Sequence, residues 1–278
     1  MPHRLIRTAT QNWTPDPEIP GFKQQILLRN AARKSVVRKW FVPPDWGVDI
    51  LKGKPDRHYH RSVIERAYNL GGDFPHWEFS SVADFKGELI VFRRHTVMDR
   101  PPGSLHGLLP TPRAQAGAEI LYWNTGPGTS IAEKAFARET VKVPFDKRAK
   151  VGRDDFPAAR IFQADALAWQ RHPRVTGLKI KPLMPAVDGA GQTAVVSVPA
   201  DWMPSAPVEI AAPPSETAWL YMLSGDMRLK VGEPGAAGDM TLGEGDFLAW
   251  DGGTDVRFGQ GEASGGGATV LCTGHALG

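Results

Sequence analysis

Two histidines and one glutamate within residues 57–65 have the types and the spacing that could bind a metal ion. His58 and His60 are two residues apart, and Glu65 follows five residues later. In a β-strand, residues i and i+2 share a face, so both imidazoles can point at one spot. A third histidine, His106, could close the site from a neighbouring strand. Neutral imidazole and carboxylate together suit borderline divalent ions such as Zn, Fe, Ni, Cu or Mn.

The spacing of these residues resembles the two sequence motifs of the cupin superfamily. The matching positions are His58, His60, Glu65 and Gly72 in the first motif, and Pro101, Gly103 and His106 in the second. The resemblance implies a small β-barrel of the jelly-roll type. It also implies one divalent transition metal per chain, held by His58, His60, Glu65 and His106, with iron as the leading expectation and Zn, Ni, Mn and Cu as alternatives.

Three positions depart from the motif pattern. The glycine expected before the first histidine is Gly53, one residue closer than usual. The opening glycine of the second motif is replaced by His95, and its closing asparagine by Pro110. These departures leave the four implied ligand positions unchanged.

Composition is typical of a globular protein and excludes several function classes. Of the 278 residues, 41% are apolar and 23% are charged, as in soluble domains. No apolar run reaches the roughly 18 residues of a membrane span, and the basic start of the chain lacks the apolar core of a secretory signal. The single cysteine, Cys272, excludes an internal disulfide and favours the cytoplasm. A net charge of +3 without a basic stripe does not indicate nucleic-acid binding.

Two separated blocks of the sequence recur at one offset. The Val-Pro-x-Asp-Trp block at 42–46 returns at 198–202, 156 residues later, and Trp13 and Gly21 return as Trp169 and Gly177. A constant offset over separate blocks indicates an internal duplication. With 24 prolines and 30 glycines between short apolar segments, the sequence predicts an all-β protein.

The predicted architecture is therefore two duplicated cupin-type jelly-roll barrels. The first covers residues 1–126 and carries the metal site. The second covers 165–278. A charged connection at 127–164 joins them, and residues 130–138 within it are predicted to form one short helix.

The second copy lacks the residues of the metal site. Aligning Gly225 with Gly72 places Ala218 at the position of Glu65, and the second motif places Val256 at that of His106. The segment 209–216, where the first two histidines would fall, contains no histidine. Neither alanine nor valine offers a lone pair to a metal, so we expect chemistry to be confined to the first barrel.

Three functions from different classes fit these residues. The leading one is a dioxygenase-type oxidoreductase that acts on a small oxygenated organic molecule. The others are a metal-dependent isomerase or lyase without redox chemistry, and a non-catalytic sensor of a metal or small ligand. Because the cupin fold hosts many activities, the resemblance does not choose among them. It does imply a homodimer, since cupin barrels commonly pair through their faces.

Further residues near the motifs are weaker candidates for the site. His76 and His95 are spare histidines that could shuttle protons, and an inward-facing arginine would favour an anionic substrate. Candidates to line a pocket are Tyr68, Trp77, Phe79, Phe92, Arg94 and Tyr122. Most of these are expected to be core residues, because strands are rich in aromatic side chains for packing reasons alone.

Overall fold

The structure is a computed structural model, and it describes residues 3–17, 19–30, 35–44, 46, 56–109, 116–125, 139–146, 151–153, 155–186, 191–210, 212, 217–233, 235–259 and 264–273. Gly53, Pro110 and the helix predicted at 130–138 lie outside the described residues.

Within the described residues the chain is almost entirely β-structure, which confirms the predicted fold class. In the first half the strands are β1 (His3–Arg7), β2 (Thr14–Pro15), β3 (Lys23–Asn30), β4 (Ser35–Val42), β5 (Asp56–His60), β6 (Ile64–Gly72), β7 (Phe74–Phe79), β8 (Glu88–Phe92), β9 (Thr96–Arg100), β10 (Leu105–Leu108) and β11 (Ala118–Thr125). In the second half they are β12 (Thr140–Lys142), β13 (Arg160–Gln163), β14 (Gln170–Arg171), β15 (Lys179–Met184), β16 (Thr193–Val198), β17 (Val208–Glu209), β18 (Thr217–Gly232), β19 (Gly238–Gly243), β20 (Asp246–Asp251), β21 (Asp255–Phe258) and β22 (Gly267–Thr273). A 3-10 helix covers Ala164–Ala166.

The chain forms two compact units. The N-terminal unit comprises residues 12–166, and the C-terminal unit comprises residues 1–11 together with 167–278. Strand β1, at the start of the sequence, pairs with β20 and so belongs to the C-terminal unit. Strands β12 and β13, which lie in the predicted connection at 127–164, pair with β5 and β9 of the N-terminal unit. These strands therefore extend the sheets of that unit.

The N-terminal unit consists of two antiparallel sheets. A five-stranded sheet has the order β12-β5-β10-β7-β8, and a seven-stranded sheet has the order β13-β9-β6-β11-β4-β3-β2. Alternate side chains of each strand point to the same face, and those from both sheets meet in one apolar cluster. Its buried members are Phe22, Val42, Trp46, Ala67, Phe74, Phe92, Met98, Ala118, Ile120 and Tyr122.

The spacing of 156 residues found in the sequence recurs in the hydrogen bonding of the two units. In the N-terminal unit, Nε1 of Trp46 donates to the carbonyl oxygen of Pro20 at 2.9 Å. In the C-terminal unit, Nε1 of Trp202 donates to the carbonyl oxygen of Thr176 at 3.0 Å. Both pairs join the same two positions of the repeat, so each tryptophan closes the equivalent loop of its own unit.

Gly72 and Gly225 have the same backbone role, as their alignment predicted. Their φ angles are 74° and 76°, in the left-handed region that favours glycine. A Cβ atom at Gly72 would overlap the carbonyl oxygen of Gly117, and one at Gly225 would overlap that of Gly267. Each glycine is therefore required both by its dihedral angles and by the close approach of a neighbouring strand.

The C-terminal unit has apolar residues at the two positions aligned with the predicted ligands Glu65 and His106. Glu65 pairs with Arg100 across β6 and β9, whereas Ala218 pairs with Trp250 across β18 and β20. Ala218 and Val256 are 0% and 1% exposed and belong to a large apolar core that also contains Trp250. Buried charges are costly unless they are paired, so the apolar set packs as an ordinary core.

His95 occupies a turn position that favours glycine. Its φ is 66°, and Gly245 in the corresponding turn of the C-terminal unit has a φ of 82°. The backbone N–H of His95 donates to the carbonyl of Asn69 at 2.8 Å, as that of Gly245 does to Met222 at 2.9 Å. The His95 ring is 2.7 Å from the Tyr68 hydroxyl through Nδ1. This contact stabilises a residue whose backbone is in an unfavourable conformation.

Replacing His95 by glycine and by alanine separates the backbone strain from the contact with Tyr68. Both variants lose the ring, but alanine keeps a Cβ that disfavours a positive φ by about 1 kcal/mol. We therefore expect His95→Gly to have the larger free energy of unfolding, by about that amount, in urea titrations.

The neighbouring exposed residue Arg94 provides the control, because it has no positive φ. At position 94, Arg94→Ala should be more stable than Arg94→Gly. The strain at His95 would be disproved if alanine matched or exceeded glycine at position 95.

Candidate metal centre

Three histidines converge in the N-terminal unit, from adjacent strands of its five-stranded sheet. His58 and His60 lie on β5, and His106 lies on β10 directly opposite His58. One nitrogen from each ring lies within 4.8 Å of the nitrogens of the other two. His60 and His106 are 4% and 2% exposed. The trio predicted from the two motifs is therefore brought together.

Hydrogen bonds fix the orientation of two of these rings. Nδ1 of His106 is 3.0 Å from the carbonyl oxygen of Ser104. A carbonyl can only accept, so Nδ1 carries the proton and Nε2 keeps its lone pair. Nδ1 of His60 is 3.1 Å from the hydroxyl oxygen of Thr140 on β12. Partners of this kind on the second nitrogen are typical of metal-binding histidines.

Burial holds two of the three imidazoles in the neutral form. It lowers the pKa of His58 to about 4, although the carboxylate of Asp56, 3.2 Å away, opposes the shift. Burial and the charge of Arg100 lower the pKa of His106 well below its usual value. Neutral imidazole is the form that binds metals.

Glu65 lies on the seven-stranded sheet, opposite the histidines, and its carboxylate is close to two of them. Its Oε1 is 3.5 Å from Nε2 of His60, and its Oε2 is 3.3 Å from Nε2 of His106. Arg100 donates to Oε2 at 3.0 Å, and the hydroxyl of Tyr122 donates to Oε1. Burial by itself would raise the pKa of Glu65, but the two histidines and Arg100 hold it well below its usual range. The carboxylate therefore stays ionised.

The histidine trio could hold a metal ion, and Glu65, which is not part of that group, is close to two of its three members. Two ligand atoms about 2.1 Å from one ion are about 3.0–3.4 Å apart at octahedral to tetrahedral angles, close to the spacing of Glu65 from its two histidines. Arg100 also pairs with the half-buried Glu78, so one guanidinium faces two carboxylates. The two carboxylates and the guanidinium together have an excess of negative charge, which a cation would offset.

A cavity of about 440 Å³ lies between the two sheets and contains the histidine trio. Apolar side chains form much of its wall, namely Ile19, Pro20, Phe22, Trp40, Ala67, Phe74, Phe92, Met98, Leu108 and Ile120. Its polar lining is concentrated around the histidines and Glu65. A molecule with an apolar body and a polar end therefore fits this cavity.

Some of the candidate pocket residues line the cavity, and others are core residues. Phe92 and Tyr122 line it. Three are buried outside its lining, namely Tyr68, Trp77 and Phe79. Arg94 is exposed in the turn before β9 and does not face the site.

The two spare histidines differ in their positions. His76 lines the cavity, with its ring 5.6 Å from that of His106 and its Nδ1 3.5 Å from Glu78. His95 does not line the cavity, and its ring is hydrogen-bonded to the Tyr68 hydroxyl. Of the two, only His76 has access to the site.

Sequence reasoning missed Arg100 and Asn124, which also line the cavity. The signal that could have found them is strand alternation. Arg100 is two residues from the apolar Met98, and Asn124 is two residues from Tyr122, so each shares a face with a core residue. Apolar strand faces are usually buried, so a polar residue on such a face indicates a buried polar group that could belong to a site.

The fold and the site together define a class: an all-β protein of cupin type with a histidine cluster that could hold a metal ion. Several solved structures resemble the chain over nearly its whole length. The sequence itself matches no family model and no curated protein. Among the described residues, no helix is long and apolar enough to cross a membrane.

Three of the similar structures come from different bacteria. HEPD of Streptomyces albus, solved with 2-hydroxyethylphosphonate and Fe(II), has a TM-score of 0.59 and 13% identity over 98% of this chain and 76% of its own. A candidate dioxygenase from Nostoc punctiforme has a TM-score of 0.61 and 12% identity over 98% and 81%. Bacillus subtilis oxalate decarboxylase, with Mn(II) centres, has a TM-score of 0.56 and 13% identity over 99% and 77%. At such identities the likeness shows the fold alone.

Arg100 should be essential to the stability of this unit. Replacing it by leucine leaves the buried Glu65 and the half-buried Glu78 without their shared cation, so we expect a loss of about 3 kcal/mol in the free energy of unfolding. Urea titration of protein treated with a chelator measures this effect without any contribution from metal.

Lys142→Ala is the contrasting variant, because the Lys142 side chain is 65% exposed in its ion pair with Asp56. Lys142→Ala should lower the free energy of unfolding by less than about 1 kcal/mol. Equal losses of unfolding free energy in Arg100→Leu and Lys142→Ala would contradict the importance of the ion pairs that Arg100 makes with Glu65 and Glu78.

Proposed function

We propose that this protein is a metal-dependent cupin enzyme, a dioxygenase-type oxidoreductase acting on a small oxygenated organic molecule. The observation that carries the proposal is the convergence of His58, His60 and His106 in a cavity whose wall is largely apolar. A non-redox isomerase or lyase would use the same cluster, as would a sensor. The experiment below distinguishes the redox function from these alternatives.

The proposed ligands are His58, His60, Glu65 and His106, with one metal ion per chain. Iron is the leading candidate, and Mn, Zn, Ni and Cu are the alternatives; similar structures hold Fe(II) or Mn(II). Iron bound by imidazole and carboxylate with open positions supplies the chemistry of oxygenases.

The remaining residues of the site position these ligands. Arg100 and Tyr122 each donate to one oxygen of Glu65, which fixes the plane of its carboxylate. The carbonyl of Ser104 turns Nε2 of His106 towards Glu65. The apolar wall limits water around the polar end, and electrostatic interactions are stronger there as a result.

Metal content and an oxygen surrogate test the proposal together. Protein purified without a nickel column and reconstituted with Fe(II) should bind about one iron per chain, measured by mass spectrometry. Nitric oxide, a surrogate for dioxygen, should then give an iron-dependent electron paramagnetic resonance signal. His106→Ala should lose most of the iron, because it removes one of three converging imidazoles.

His76→Ala is the matched control, since His76 lines the same cavity but is not part of the trio. It should keep the iron. Full occupancy in His106→Ala, or equal losses in both variants, would contradict the proposed ligands. Stoichiometric iron without a nitric oxide signal would contradict the dioxygenase and favour the alternatives without redox chemistry.

We also propose that the protein is a cytoplasmic homodimer and that its partner molecule is the small substrate alone. The resemblance to cupins supports pairing through the barrels, and the single cysteine suits a reducing compartment. Sedimentation equilibrium should give twice the chain mass of 30.3 kDa. A monomer at all concentrations would contradict the dimer.

A further inference from the structure

Asn124 is a buried amide without a partner in the described part of the chain. It lies on β11 and is 1% exposed. Neither its Oδ1 nor its Nδ2 has a hydrogen-bond partner among the described residues. The side chain lines the cavity that holds the histidine trio.

The position of Asn124 in the sheet places it next to the candidate metal ligands. Asn124 on β11 is directly opposite Glu65 on β6. It follows Ile120 and Tyr122 at intervals of two residues, and all three side chains line the cavity. Its amide therefore faces the cavity at the polar end, on the same strand as the tyrosine that donates to Glu65.

An unpartnered amide at this position weakens the fold. Leaving a buried donor or acceptor unsatisfied costs about 1–3 kcal/mol, and an apolar residue of similar shape would avoid that loss. Buried polar groups in folded proteins nearly always have partners. A residue that violates this rule inside a cavity is best explained by a partner that arrives with the ligand.

The chemistry of the amide restricts the group that would satisfy it. A carboxamide offers two donors and one acceptor in one plane. The charged groups that line the cavity are already paired, Arg100 with Glu65 and Lys142 with Asp56. A carboxylate ligand would place its charge beside Glu65 and leave the Asn124 oxygen unsatisfied. A neutral group that presents a donor beside an acceptor satisfies both ends of the amide.

We propose that Asn124 binds the polar head of the substrate, and that this head is neutral and pairs a hydrogen-bond donor with an acceptor, as in a carboxamide or a hydroxycarbonyl group. The apolar cavity wall then holds the rest of the molecule. This inference rests on the proposed function, because it specifies the substrate class of the same site. Binding at Asn124, however, can be measured without any metal.

Three aromatic probes with the same ring test the head group. Benzamide has a donor and an acceptor, N,N-dimethylbenzamide lacks the donor, and benzoate is charged. Titration calorimetry on chelator-treated protein, repeated with zinc-loaded protein, gives their affinities. Benzamide should bind about tenfold more tightly than either of the others, since one good hydrogen bond is worth about that factor.

Asn124→Leu should reduce this preference to less than about twofold, because it removes the amide while keeping a similar volume. Its melting temperature without ligand should equal or exceed that of the original protein. Asn124→Ala serves as a second variant if leucine prevents folding, and it should also lose the preference for benzamide, because the alanine side chain has neither a donor nor an acceptor.

Thr125→Val is the matched control on the opposite face of β11. Thr125 is 7% exposed, and its hydroxyl also lacks a partner among the described residues, but it does not line the cavity. This variant should keep the preference for benzamide.

Three results would overturn the inference: no preference in the original protein, a preference that survives Asn124→Leu, or a clear drop in melting temperature in that variant. Because metal-free protein is used, failure of the inference is separate from failure of the iron experiment. A nitric oxide signal without benzamide preference rejects only the role of Asn124. Benzamide preference without a signal rejects only the redox function.

Discussion

The ion-pair network around Arg100 joins the two sheets of the N-terminal unit. Arg100 on β9 and Glu65 on β6 belong to the seven-stranded sheet, and Glu78 on β7 belongs to the five-stranded sheet. All three are largely buried, so none could be placed there without the others. Glu65 in turn faces His60 and His106. The guanidinium thus sets the position of the carboxylate, and the carboxylate is placed against the histidines.

At the positions aligned with this network, the C-terminal unit has apolar residues. Val231 pairs with Val256 in the register in which Glu78 pairs with His106. Trp250 is 1% exposed and stands in the register position of Arg100. Its indole Nε1 donates to the carbonyl of Ile210 at 3.1 Å, so even this polar atom has a partner. With this interior the C-terminal unit gains stability from apolar burial, and the side chains of Ala218, Val231, Trp250 and Val256 offer no lone pair to a metal.

The cavity of the N-terminal unit combines two requirements that oppose each other. Folding favours apolar surfaces between sheets, and chemistry requires polar groups in the same space. The structure separates them: an apolar wall surrounds a polar end where most charges are already paired. Asn124 differs from these paired charges, because neither Oδ1 nor Nδ2 of its amide has a hydrogen-bond partner among the described residues. Sites that bind a ligand commonly keep such unfavourable groups at the expense of stability.

The sequence by itself determined the features that depend on local spacing and on backbone angles. The histidine pair, the glycines of the repeated turn and the 156-residue duplication can all be read from residue types, because strand alternation and positive φ angles act over a few residues. The tertiary structure decided which distant strands meet. It paired β1 with β20, placed Arg94 in solvent, and brought Arg100 and Asn124 to the cavity. Strand alternation identifies the two faces of a strand, but only the packing of the sheets decides which face is buried and what it contacts.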